Sequence, residues 1–307
     1  MPWAYDKVEI CHWCDAEGRS GPRCYTHCRH AELWEASKTE RTQAEFVAKL
    51  DGEYRNPLLE FYTIFQVLFE PMHIDTLGMR LHLNPSCLMH LCKEGAPVPE
   101  PPSGDWKTKM NIQLNIYSGL FKQWLGANGV RCTQRKLTLN SFRVQTKLHW
   151  PEHKSKAKNA AILTDFILHI HNELEVKSEH TRMRTLTLWA FSEFFKLLNN
   201  KQRFLTAADC KDLVTIRNAM LNGYFWLSRS AFISSDAKFA MKPKFHGLYE
   251  LISFALKSRI NPGQYWSYGS EDFCGRIGKV ASAVHPVTMD RRAAERWMLG
   301  YFSECRS

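Results

Sequence analysis

Met110-Asn111-Ile112-Gln113-Leu114-Asn115-Ile116-Tyr117-Ser118-Gly119-Leu120-Phe121-Lys122-Gln123-Trp124 is the stretch that decides the fold of this chain. Met110, Ile112, Ile116, Leu120, Phe121 and Trp124 recur at roughly helical spacing, and Gly126-Ala127-Asn128-Gly129 stops the run. The same period returns over 161–174 through Ile162, Phe166, Ile170 and Leu174, and over 185–198 through Leu186, Ala190, Phe194 and Leu198. Thr206-Ala207-Ala208-Asp209 has the form of a helix cap, with Asp in place of the longer Glu or Gln, and a helix through Leu213, Ile216 and Met220 should follow. The expected class is α+β, predominantly helical.

Working back from Met110, residues 93–105 carry four prolines and read as a linker, because proline forbids a helix or a central strand. Phe61-Tyr62-Thr63-Ile64-Phe65-Gln66-Val67-Leu68-Phe69 is rich in aromatic and β-branched residues and has the length of a buried strand, or of a buried helical turn or two. It ends at Glu70-Pro71-Met72-His73-Ile74-Asp75, so acidic residues stand where an element stops. Further back, Ser37-Lys38-Thr39-Glu40 has the form of a capping box ahead of a short helix through Phe46, Val47 and Leu50, ending near Asp51-Gly52.

Working forward, a basic belt runs through Arg131, Arg135, Lys136, Arg143, Lys147, Lys154, Lys156 and Lys158, with Glu152 as its one carboxylate. His149 and Trp150 within it add a stacking surface. The belt and the net charge of +10 favour a polyanionic partner, since cation–phosphate contacts release counterions. A solvated basic loop explains the same residues without a partner.

The first thirty residues hold Cys11-His12-Trp13-Cys14, Cys24 and His27-Cys28. A structural zinc ion takes four soft or borderline ligands in a tetrahedron, and a C-x2-C turn supplies two thiolates at once. Cys11, Cys14, Cys24 and Cys28 are the expected ligands, with His27 competing for the last position. Four unrelated reduced thiols are the plain alternative. Cys87, Cys92, Cys132, Cys210, Cys274 and Cys305 are scattered and read as reduced, buried small hydrophobes. No run approaches the roughly twenty apolar residues of a membrane helix, and no signal peptide opens the chain, so an intracellular protein is expected, nuclear if eukaryotic. No P-loop, dinucleotide fingerprint or Gly-x-Ser-x-Gly elbow is present, which argues against nucleotide hydrolysis and serine hydrolase chemistry.

Two blocks together resemble a known family. Glu70-Pro71-Met72-His73-Ile74-Asp75-Thr76-Leu77-Gly78-Met79 with Pro85-Ser86-Cys87-Leu88 resembles the acidic-x-Met-His-x-x-x-x-Gly stretch of large eukaryotic DDE-type transposases of the CACTA and Kyakuja-Dileera-Zisupton kinds. Pro243-Lys244-Phe245-His246 leading to Tyr268-Gly269-Ser270-Glu271-Asp272-Phe273-Cys274-Gly275-Arg276 is similar to their late block. The resemblance implies a partial RNase H-like core interrupted by a helical insertion. Its segments would be a zinc-binding stretch over 1–36, core over 37–92, the linker at 93–105, the insertion over 106–242 and the helical end of the core over 243–307. It implies DNA as partner, and Asp75 (or Glu70) with Glu271 as ligands to Mg²⁺ or Mn²⁺ in strand cleavage. The first catalytic Asp of that family has no comfortable counterpart, since Asp6 stands too close to Cys11. A transposase-derived DNA-binding protein is therefore expected, with a non-enzymatic zinc-containing nucleic-acid-binding or scaffold protein as the alternative. Asp75 and Glu271 also fit a turn residue and a helix cap, and His73 and His246, beside apolar residues, fit hydrogen-bonded core histidines better than ligands.

Overall fold

Each apolar stripe read from the sequence lies on a helix of the computed structural model, which describes residues 9–18, 21–50, 61–134, 136–175, 178–268, 279, 282, 292, 295 and 296. Two short helices, α1 (Ala31–Ser37) and α2 (Gln43–Leu50), lead to α3 (Arg80–Glu94), which continues from a π-helical stretch, Met72–Met79. Then come α4 (Trp106–Ala127), α5 (Ala157–Glu173), α6 (Glu179–Asn200), α7 (Ala207–Ile233) and α8 (Lys244–Ser258). The chain divides into two compact units, Met1–Gln264 and Tyr265–Ser307. Among the described residues, no helix is long and apolar enough to cross a membrane.

The core of the first unit forms where α6 packs along α7 and α5, with α3 against α5. Leu188, Phe191, Phe194, Leu213, Met220 and Tyr224 are sealed in this layer, and each large side chain so buried contributes about 1.5–3 kcal/mol. Thr206 caps α7 as read from the sequence: its hydroxyl accepts from Asp209 N, while Asp209 Oδ2 accepts from Thr206 N. Helices α6 and α7 touch closely at Gly223, where a Cβ would run into Thr187 Oγ1. Gly223→Ala should therefore cost about 1–3 kcal/mol by overpacking, read as a lower urea midpoint with an unchanged slope.

Three local expectations are corrected. The capping box of α2 is Thr42 with Glu45, not Ser37 with Glu40: Thr42 N donates to Glu45 Oε2 and Glu45 N to Thr42 Oγ1. Ser37 instead closes α1. Residues 61–69 form no strand. Ile64–Gln66 is a 3₁₀ turn boxed by Thr63 and Gln66, and Phe61, Tyr62 and Phe65 are exposed. Proline-rich 93–105 is no free tether, because Gln113 Nε2 donates to the carbonyls of Cys92 and Val98, and Tyr117 OH to that of Ala96. An RNase H-like core needs a sheet, and the β-structure among the described residues is isolated bridges such as Cys14 with Glu40.

Pro85 sits inside α3 and has no N–H, which frees the carbonyl of Leu81 one turn back. That carbonyl accepts from His153 N at 2.7 Å, tying the segment between α4 and α5 to α3.

Candidate metal centre

The Cys11-x2-Cys14 turn is held in place from three sides. Trp13 N donates to Cys11 Sγ at 3.3 Å, and Trp13 Nε1 to the Ile64 carbonyl at 3.0 Å. Arg41 Nε donates to the carbonyls of Cys11 and Cys14 at 3.1 and 2.9 Å. The turn faces the start of α8, where His246 and Glu250, four residues apart, lie on one helical face. Cys14 Sγ lies 3.3 Å from His246 Nε2, and His246 Nε2 lies 3.4 Å from Glu250 Oε1. Ligand atoms of Cys11, Cys14, His246 and Glu250 are all within 4.8 Å of one another, and all four residues are buried.

This group could hold a metal ion. A tetrahedron with metal–ligand bonds of about 2.0–2.3 Å sets its ligand atoms roughly 3.3–3.8 Å apart, which the Cys14–His246 and His246–Glu250 spacings already match. Lys38, itself buried, contacts Glu250 at 3.2 Å and Glu35 at 3.1 Å. Two thiolates and the Glu250 carboxylate, set against a divalent ion, would leave one negative charge, which Lys38, shared with Glu35, offsets in part.

Without an ion the site favours protons. The hydrogen bond with Cys11, then burial, raises the Cys14 thiol far above its ordinary range. Burial pulls His246 down, but the adjoining Cys14 and Glu250 outweigh it and the net shift is upward. A divalent ion reverses this balance, because it binds the deprotonated ligands and releases their protons.

Cys24 and Cys28, the second half of the expected ligand set, do not join this converging group. Cys24 is half-buried, and its Sγ contacts Thr26 Oγ1 at 3.2 Å at the head of the 3₁₀ turn Tyr25–Arg29. His27 is exposed, with Nδ1 on the Pro22 carbonyl, and His12 points Nε2 at the Val67 carbonyl. Cys28 is fully buried, and after burial itself the Glu250 and Cys14 charges push its thiol well up. It borders the site without joining the four atoms that converge. His246, read from sequence as a core histidine, is the residue that bridges thiol and carboxylate; its signal was the His-x3-Glu spacing, which sets both side chains on one face of a helix.

The expected Mg²⁺ ligands have other partners. Asp75 is buried and bidentate with Arg80, at 2.7 and 2.9 Å, and Arg80 Nη2 also donates to the Phe191 carbonyl. Burial pushes the Asp75 carboxyl above its ordinary range against the pull of that guanidinium. Glu70 accepts from Met72 N, His73 N and His73 Nδ1, at the start of the π-helical stretch, and His73 is exposed rather than in the core. Glu271, Cys274 and Cys305 lie outside the described residues, as does Arg135 of the belt.

The belt runs mostly through turns and irregular segments that pack onto the core. Leu137, Leu139, Phe142 and Val144 are buried beneath it, and Ser118 Oγ accepts from Leu137 N. Arg131, Lys136, Arg143, Lys147, Trp150, Lys154, Lys156 and Lys158 are exposed. Arg143 pairs with Glu152 at 2.6 Å. Lys136, Lys154 and Lys156, with Thr133, Gln134, Ser155 and Asn159, line an open groove of 590 Å³ that contains no carboxylate among the described residues. No family model, curated protein or solved structure matches this chain.

Proposed function

We propose that this chain is a non-cleaving nucleic-acid-binding protein whose N-terminal segment is fixed to α8 by a structural zinc ion on Cys11, Cys14, His246 and Glu250. The observation that carries the binding role is the carboxylate-free groove on which Lys136, Lys154 and Lys156 converge. Three ammonium groups along an open groove suit a phosphate backbone, and the exposed Trp150 offers a face on which a base can stack. That the nucleic acid is DNA rests on the transposase resemblance alone. The non-cleaving form is preferred over a Mg²⁺-dependent strand-transfer enzyme because Asp75 is spent on Arg80 and Glu70 on backbone N–H groups.

Zinc follows from the donor set. Two thiolates and an imidazole select a borderline-soft ion over Mg²⁺ or Ca²⁺, and four buried protein ligands leave no open position, which suits a structural role.

Fluorescence anisotropy with a labelled duplex at several salt concentrations tests the groove. Replacing Lys136, Lys154 and Lys156 together by alanine should lower the slope of log affinity against log salt by about 2–3, since each lost phosphate contact removes roughly 0.9. An unchanged slope would remove the groove from the binding surface.

A further inference from the structure

A second cluster of ligating side chains stands away from the cysteines. His90 and Glu94 are four residues apart on α3, one helical turn, and His180 reaches them from the first turn of α6. A ring nitrogen from each histidine and a carboxylate oxygen of Glu94 all lie within 4.8 Å of one another. The two imidazoles face each other with ring centroids 4.4 Å apart. His90 Nε2 and His180 Nδ1 are both buried without a hydrogen-bond partner. Buried polar nitrogens ordinarily find partners, so two orphans side by side call for a missing one.

We propose that His90, His180 and Glu94 form a second site, for a divalent transition-metal ion, with three protein ligands and at least one coordination position left for water or a small ligand. Two imidazoles and one carboxylate are the donor set of open zinc and non-haem iron(II) sites, whereas the four-ligand cysteine centre is closed. The site can be reached: Glu94 is exposed, and His90 forms part of the wall of a cavity of 620 Å³. That wall carries Lys93, Lys109, Lys147 and Lys238 together with Glu100 and Asp236, and Lys109 pairs with Glu100 while Lys93 and Lys238 pair with Asp236, so water or a small neutral or anionic ligand can fill the open position.

Arg184 is the group that opposes a cation here. It is fully buried, and its Nη2 contacts both oxygens of Glu94 at 2.7 and 2.6 Å. A carboxylate has about four lone-pair sites, so Glu94 can serve Arg184 and an ion together. Arg184 then acts as the positioning residue, fixing the carboxylate much as outer-shell partners fix metal ligands elsewhere.

The test is a cobalt(II) titration of the full chain stripped by chelator. Thiolate-bound cobalt shows an intense sulfur-to-metal charge-transfer band, and a two-histidine, one-carboxylate site shows only weak ligand-field absorption. The expected result is a second equivalent that adds ligand-field absorption without the charge-transfer band. His180→Gln and His90→Gln should each abolish that equivalent while the thiolate signal and the helical circular dichroism persist. Absence of any equivalent that lacks the charge-transfer band, or one that survives both substitutions, overturns the proposal. Because the thiolate band reports the cysteine centre separately, failure of either site is read independently of the other.

Discussion

Cys14→Ser is expected to strip the buried ion from the cysteine centre and to unfasten residues 9–41 from α8. The apparent binding free energy of structural zinc is about 10–16 kcal/mol in small peptides, comparable with the whole stability of an ordinary domain at about 5–15 kcal/mol. Elemental analysis should show one fewer zinc per chain, and the urea midpoint should fall to that of the chelator-treated parent. Cys24→Ser is the internal control, since Cys24 contacts Thr26 and lies outside the converging atoms. Equal loss of zinc in both variants would restore the four-cysteine arrangement. Retention of zinc in Cys14→Ser would remove the centre altogether.

Asp75→Asn should also be strongly destabilising, by a smaller amount and for an unrelated reason. It leaves the Arg80 guanidinium, fully buried between Asp75 and the Phe191 carbonyl, without its counter-charge. Breaking a buried pair from one side costs about 3–5 kcal/mol, so a lower thermal or urea midpoint is the expected reading. Replacing both residues by apolar ones of similar volume should recover much of that loss, because no charge is then buried. If Asp75 instead held a catalytic Mg²⁺, Asp75→Asn would abolish metal-dependent plasmid nicking and leave the midpoint almost unmoved. The two measurements separate a structural carboxylate from a catalytic one.

Helical periodicity carried the positions of α4 to α7, because recurring apolar spacing marks a helix, although in α4 the buried face holds Met110, Leu114, Tyr117 and Phe121 while Ile112 and Ile116 of the stripe read from sequence are exposed. The aromatic run at 61–69 misled for the converse reason. Apolar content without a period does not say which side is buried, and Phe61 and Phe65 remain exposed. Half of the candidate metal centre was legible, since Cys11 and Cys14 are close in sequence and share one turn. The other half was not, because His246 and Glu250 meet them only through tertiary packing of α8, and a nearer pair, Cys24 and Cys28, offered a more familiar spacing. The acidic block at Glu70 to Asp75 resembled a catalytic motif, yet Arg80, five residues beyond Asp75, supplies the partner that occupies it.

The contact between Cys14 and His246 spans 232 residues of chain. A staple across a loop of that length removes about 5 kcal/mol of unfolded-state freedom in the chain-entropy view, close to the most any single cross-link can do. It also sets an order of events during synthesis. In the proposed centre the cysteine turn has half its ligands until α8 emerges, so the whole chain between them is made before the centre can close. Translation that stops short of α8 would yield a chain unable to complete it, and a bound ion would thus report that synthesis has reached at least as far as Glu250.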